Sequence, residues 1–317
     1  MHLRLRKEVY YYLGIIILII IGSIFGINKY KEYKYHQTYE YKLISHGYSE
    51  KEAKTITKTL NKDKELNYYL EHDASNRYVE LLSEKYFLSK NFYKYMDYLS
   101  THKKLKLSDV VKNVNIHLDE EFYSTNYETD TSKDTAMLVN KYYLLSKDYA
   151  PSDLVTISSM YAWGENQQTR KVCYDAFLKM HEAALGKGYY LMVSSSYRSY
   201  ADQETVYTNY EKKRGRKYAD SIAARPGSSE HQTGLTLDIF SKTNSNKETF
   251  KDSEEAKWLA ENSYKYGFIL RYPENLVNTT GYNYESWHFR YVGETIATYI
   301  HENNISFEEY YAYYIEE

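Results

Sequence analysis

The sequence predicts an α+β fold, a small antiparallel sheet with flanking helices, preceded by a membrane-spanning helix and a small helical module. Three observations carry this. Val9 to Ile27 is an almost unbroken apolar run that includes Ile15-Ile16-Ile17-Leu18-Ile19-Ile20-Ile21. Between Asn28 and Ala150 there is no Pro and a single Gly, Gly47, whereas all 3 Pro and all 3 Trp lie beyond that stretch. After Pro151, short apolar strand-like runs alternate with segments of helical periodicity.

The apolar run is long enough to cross the ~30 Å hydrocarbon layer as a helix. A signal peptide has a shorter apolar region, about 7–15 residues, ending in a small-x-small cleavage site. Gly22-Ser23-Ile24-Phe25-Gly26 matches that poorly and no lipid-accepting Cys follows, so the run reads as an uncleaved anchor. Arg4, Arg6 and Lys7 precede it and Lys29, Lys31 and Lys34 follow, which leaves orientation weakly set by charge. The large hydrophilic C-terminal part favours the N-terminus inside and the remainder outside. Residues 1–27 are thus expected to be a cytoplasmic tail and anchor.

Residues 28–118 are expected to be an extracellular helical module. Ser49-Glu50-Lys51-Glu52 has the form of a capping box and is followed by Ala53, Ile56 and Leu60 at helical spacing. Tyr78, Leu81, Leu82 and Tyr86 make a second stripe, and Phe92, Tyr95, Met96 and Leu99 a third. Such stripes are usually core, so a bundle that lifts the second domain off the membrane is preferred to a wall-binding unit. The acidic, polar stretch 119–136 reads as a linker and 137–317 as the second domain.

A formal charge of −2 with 26% charged residues gives no basic excess, which excludes nucleic acid as the expected partner. The single cysteine, Cys173, rules out an internal disulfide and reads as a small buried apolar residue. An exported chain without disulfides fits the outer face of a bacterium that lacks a disulfide-forming periplasm, a Gram-positive one.

Within the second domain, Val172 to Leu185 reads as a helix stopped by Gly186 and Gly188, and Tyr189 to Ser194 as a buried strand. Ala201 to Lys213 resumes helical spacing, which places Arg198 at a strand-to-helix junction where a side chain can reach a cleft. Glu254 to Tyr266 reads as a helix and Phe268-Ile269-Leu270 as a short strand. Glu285 to Tyr291 is a further strand, with helices over Thr295 to Ile300 and Phe307 to Tyr314.

The chemistry is concentrated in Ser229-Glu230-His231-Gln232-Thr233-Gly234-Leu235-Thr236-Leu237-Asp238 and Glu285-Ser286-Trp287-His288. Two imidazoles and one carboxylate can hold a metal and leave a position for water, while a second carboxylate moves a proton. His231 and Asp238 stand at an odd spacing that would put them on opposite faces of one continuous strand, so a turn at Gly234 is required. Glu285 and His288, three apart, can be aimed at one point by a local bend. A His-x6-Asp or a Glu-x-x-His is a weak signal taken singly, and a lone His is more often structural.

Taken in order, Ser195-Ser196-Tyr197-Arg198-Ser199, the Ser229-to-Asp238 motif, Tyr266-Gly267-Phe268-Ile269-Leu270-Arg271-Tyr272-Pro273 and Glu285-Ser286-Trp287-His288-Phe289-Arg290-Tyr291 resemble the VanY family of D-alanyl-D-alanine carboxypeptidases, the M15B zinc peptidases. The resemblance runs from about Leu138 onward and leaves residues 1–136 uncovered. Thr236 departs mildly from the family's usual Ala.

The resemblance implies Zn2+ held by His231, Asp238 and His288, Glu285 as general base, and Arg198 on the scissile carbonyl oxygen or the substrate's terminal carboxylate. Gln203 would line the substrate cleft, and Ser196, Tyr197 and Trp287 would contact substrate as its walls. Arg290 would pair with carboxylates or brace the fold. The expected function is a membrane-anchored zinc carboxypeptidase that removes the C-terminal D-alanine from peptidoglycan stem peptides, whether pentapeptide (D,D) or tetrapeptide (L,D). An endopeptidase cutting within the stem or cross-bridge is one alternative. A non-catalytic wall-binding or sensor module is another, and Glu285 argues against it, because a structural zinc site is closed by four protein ligands.

Overall fold

The computed structural model describes residues 7–316, so Arg4 and Arg6 of the expected tail lie outside the described residues. The chain forms two compact units divided between Val111 and Lys112. In the first, helix α1 (Lys7–His36) contains the whole apolar run and is long and apolar enough to cross a membrane, with none of its apolar window buried against protein. Such a helix is stable where its side chains face lipid and its backbone is satisfied internally.

Helices α2 (Tyr39–His46), α3 (Glu50–Thr59), α4 (Asp63–Glu71), α5 (Asn76–Leu81) and α6 (Phe92–Thr101) follow. The capping box at the start of α3 is formed, with Ser49 Oγ accepting from the Glu52 amide and the Glu52 carboxylate accepting from the Ser49 amide. Ala53 and Ile56 of α3 and Phe92, Tyr95, Met96 and Leu99 of α6 are buried, as their spacing predicts. Tyr86 lies beyond the end of α5, so the second stripe is only partly helical.

After α7 (Leu107–Asn115), the stretch expected as a linker is built into the second unit instead. Strand β1 (Tyr127–Glu128) pairs in parallel with β2 (Tyr143–Leu144). The Phe122 ring packs 5.5 Å from that of Tyr142, whose hydroxyl donates to the Glu120 carbonyl at 2.9 Å. The polar composition of 119–136 concealed these anchors because the aromatic residues that dock it are few and irregularly spaced.

The β-hairpin partners β3 (Leu154–Thr156) and β4 (Gln168–Arg170) lead to helix α8 (Lys171–Leu185), which buries Cys173, Phe177 and Met180 in the main core. Next come β5 (Leu191–Ser195), α9 (Tyr200–Arg214), α10 (Arg216–Ile222), β6 (Thr236–Ser241), α11 (Lys247–Phe250), α12 (Glu254–Asn262), β7 (Phe268–Leu270), α13 (Val277–Thr280), β8 (His288–Tyr291), α14 (Glu294–Asn303) and α15 (Phe307–Tyr314). Of these, α10, α11 and α13 have no counterpart among the elements predicted from the sequence, and β8 is shorter than its predicted span because 285–287 forms the bend that precedes it. The central sheet has the order β5-β6-β8-β7, with every neighbouring pair antiparallel. Strand β6 is buried along its whole length because it lies between β5 and β8 with the core of α8 against it.

Candidate active site

Sheet register assembles the site. Asp238 on β6 stands directly opposite His288 on β8, and directly paired residues of antiparallel strands project their side chains to the same face. On the other side of β6, a bulge between Val193 and Ser195 brings Ser195 opposite Asp238 and turns the chain toward the site. His231 arrives from the 3-10 turn Glu230–Thr233, and Gly234 then reverses the chain with φ +67°, in the left-handed region, as the odd spacing to Asp238 demands. A Cβ at Gly234 would also come within 3.0 Å of Arg170 Cγ and Leu154 Cδ2.

The three side chains converge. His231 Nε2 lies 3.6 Å and His288 Nδ1 3.3 Å from Asp238 Oδ1, and the donor atoms of the trio lie within 4.8 Å of one another. All three residues are buried. His231 Nδ1 hydrogen-bonds the Ser196 carbonyl at 2.8 Å, which leaves Nε2 as the lone-pair nitrogen facing Asp238. Asp238 Oδ1 is buried and accepts no hydrogen bond. A buried carboxylate oxygen without a donor is costly unless a cation satisfies it, so the donor set fits a metal ion. A second group, His117, Asp119 and Glu120, comes equally close but is only half-buried, and His117 Nε2 lies 3.0 Å from Tyr143 Oη.

Behind the trio is a buried charge network that the sequence reading missed. Glu230 Oε2 lies 3.5 Å from His288 Nε2, while Glu230 Oε1 accepts from Arg271 Nε at 2.8 Å and Arg290 Nη1 at 3.1 Å. Arg271 also forks onto both oxygens of Glu308 at 3.0 and 2.5 Å. Arg290 further donates to the Thr135 and Met137 carbonyls at 3.1 and 2.7 Å, so it both pairs with a carboxylate and braces the fold. Burial alone would raise the Glu230 carboxyl, but the two guanidiniums hold it far below the usual carboxylate range. Burial would lower His288, yet Asp238 and Glu230 outweigh it and lift the imidazole to about 9. His231, with burial dominant, is pushed down to about 3 and is neutral.

Glu285 sits in front, with Oε2 3.5 Å from His288 Nδ1 and its amide donating to the Tyr272 carbonyl at 3.0 Å. Burial raises its carboxyl to about 7, with His288 opposing. Arg198 lines the same cleft, fixed by Nη1 to Gln203 Oε1 at 2.7 Å and Nη2 to Ser195 Oγ at 2.9 Å. Gln203 borders the cleft too, but its amide donates to the Ala224 carbonyl at 2.7 Å, so its contacts hold Arg198 in place. Trp287 forms a wall and stacks on Phe240 with ring centroids 6.0 Å apart.

Two expected substrate contacts are placed elsewhere. Ser196 is buried with Oγ donating to Gln167 Oε1 at 2.6 Å, and its share in the site is the carbonyl that orients His231. Tyr197 is not among the residues that line the cleft. Tyr272, Tyr282 and Lys247 do line it, and the sequence reading assigned none of them. Thr236 is buried in β6 with its hydroxyl unpartnered.

Residues 166–294 match the VanY family model, described as D-alanyl-D-alanine carboxypeptidase. A D-alanyl-D-alanine carboxypeptidase of Enterococcus faecium is 31% identical over 233 residues, which cover 69% of this chain and 73% of that protein. The chain belongs to the VanY family of D-alanyl-D-alanine carboxypeptidases. A Bacillus subtilis protein named as a carboxypeptidase is 44% identical over 179 residues, 55% of this chain and 66% of that relative's length. Among solved structures, the LdcB LD-carboxypeptidase is 38% identical with a TM-score of 0.55, covering 61% of this chain and 97% of its own. The matched stretch contains all four residues of the converging group, His231, Asp238, Glu285 and His288.

Proposed function

We propose that this protein is anchored by α1 and removes the terminal D-alanine of peptidoglycan stem peptides on the outer side of the membrane. The observation that carries the reading is the convergence of His231, Asp238 and His288 with Glu285 at the open edge of the trio. His231, Asp238 and His288 would hold zinc, which when bound would supply Lewis acidity of the kind that lowers the pKa of water from 15.7 to about 7. Glu285 accepts the proton of the attacking water on a carboxylate oxygen and later delivers it to the leaving nitrogen. A carboxyl that titrates near 7 is suited to both transfers at neutral pH. Arg198, pinned by Gln203 and Ser195, directs its remaining N–H groups at the carbonyl oxygen as negative charge develops there. Tyr272 packs its ring 4.7 Å from that of His288 and limits the imidazole's freedom to turn.

Similarity to LdcB over nearly that whole chain favours the tetrapeptide, cut after its L-residue, as the preferred stem. The full-length protein in detergent, loaded with one zinc, is incubated with defined tetrapeptide and pentapeptide muropeptides. Free D-alanine from the tetrapeptide at the higher kcat/KM is expected. Release from the pentapeptide alone would reassign the bond, and internal cleavage without free D-alanine would make the protein an endopeptidase.

A further inference from the structure

We propose that Lys247 recognises the substrate's terminal carboxylate, an assignment that rests on the carboxypeptidase reading above. Besides the two histidines, two basic side chains line the cleft among the described residues, Arg198 and Lys247, with three carboxylates, Glu230, Asp238 and Glu285. An exopeptidase must accept a carboxylate into this acidic cleft, and it needs a cation to do so. Arg198 is engaged by Gln203 and Ser195 beside His231, where its free edge serves the carbonyl oxygen. Lys247 is differently placed. It opens α11, whose first turn is capped by Asn246, and its Nζ rests 4.7 Å from the centre of the Trp287 ring. No hydrogen bond or ion pair reaches that ammonium among the described residues.

The ring supplies a defined seat. Trp287 is stacked on Phe240 in the main core, with the ring planes 11° apart, and it immediately precedes the ligand His288. A cation on an aromatic face is held there by the ring's electron density and keeps its N–H donors free. Lys247 thus presents its positive charge at the cleft wall, within electrostatic reach of Asp238 and Glu285 but hydrogen-bonded to neither, on the ring that immediately precedes the ligand strand. That geometry suits the short distance between the scissile carbonyl and the terminal carboxylate of a single-residue leaving group.

The test compares a stem peptide ending in free D-alanine with the same peptide amidated at its C-terminus, using full-length, zinc-loaded protein. The wild type is expected to prefer the acid. In Lys247→Gln the KM for the acid should rise about 10- to 100-fold, the range of one charge-assisted hydrogen bond, with kcat within about threefold. The amide should be cut with little change, so the acid-over-amide preference collapses, and Lys247→Arg should restore most of it. An unchanged preference in Lys247→Gln overturns the assignment, as does a parallel fall of both substrates with loss of zinc. Absence of D-alanine release by the wild type overturns the carboxypeptidase reading itself, an outcome distinct from the other two.

Discussion

The two sides of His288 carry the same residue types and behave in opposite ways. Behind the imidazole, Glu230 is wholly buried and held by Arg271 and Arg290, with Glu308 closing the network, so its charge is locked. In front, Glu285 is partly buried and no guanidinium hydrogen-bonds it, so burial outweighs the more distant pull of His288, Lys247 and Arg198 and its carboxyl rises to about 7. Pairing, more than burial, decides whether a glutamate here is a permanent anion or a proton carrier. The rear side fixes His288 in place, and the front side carries the carboxyl proposed as the base.

Removing the rear anion should have the largest effect on folding. Glu230→Ala leaves the buried Arg290 guanidinium without a carboxylate and Arg271 with Glu308 alone, and is expected to cost about 3–5 kcal/mol, read by denaturant unfolding. A loss below about 1 kcal/mol would show that the network relaxes or takes in water. Glu230→Gln keeps the shape and removes the charge that orients His288, so zinc affinity should fall by about 10- to 100-fold in a chelator competition. Unchanged affinity would divorce the rear network from the metal.

Acid sensitivity follows from the same carboxyl. Because folded Glu230 titrates below its reference value of 4.5, its contribution to stability is complete above that pH and is lost as pH falls beneath it. Unfolding measured from pH 6 down should therefore be steeper for the wild type than for Glu230→Gln. The smallest effect is expected away from the ligands. Tyr123 Oη lies 3.2 Å from Tyr282 Oη and 3.4 Å from the Arg225 amide, bracing the cleft wall from the stretch that composition alone marks as a linker. Tyr123→Phe should cost about 0.5–1.5 kcal/mol and leave zinc content intact.

The convergence of His231, Asp238, His288 and Glu285 was legible because each lies in a compact motif, and the odd spacing of the first two demands the turn that Gly234 supplies. Helices α8, α9, α12, α14 and α15 were legible from periodicity and from glycine stops such as Gly267, whereas the short α10, α11 and α13 carry too few turns to show a period. Glu230 was not, since its partners stand 41, 58 and 60 residues away and only the β6–β8–β7 register brings Arg271, His288 and Arg290 to it. Ser196 was misjudged because the motif carries the residue while its function resides in a backbone carbonyl. Lys247 lies in a polar loop with no pattern, and only the fold sets it on Trp287.

The most direct test of the account is the rate of D-alanine release by zinc-loaded Glu285→Gln. One zinc per chain should be retained, because the three ligands are untouched, while release should fall by at least the ~10²–10⁴-fold attributable to a general base. Retained zinc with wild-type release would contradict the role given to this carboxylate, and loss of the zinc would place Glu285 among the ligands instead of beside them.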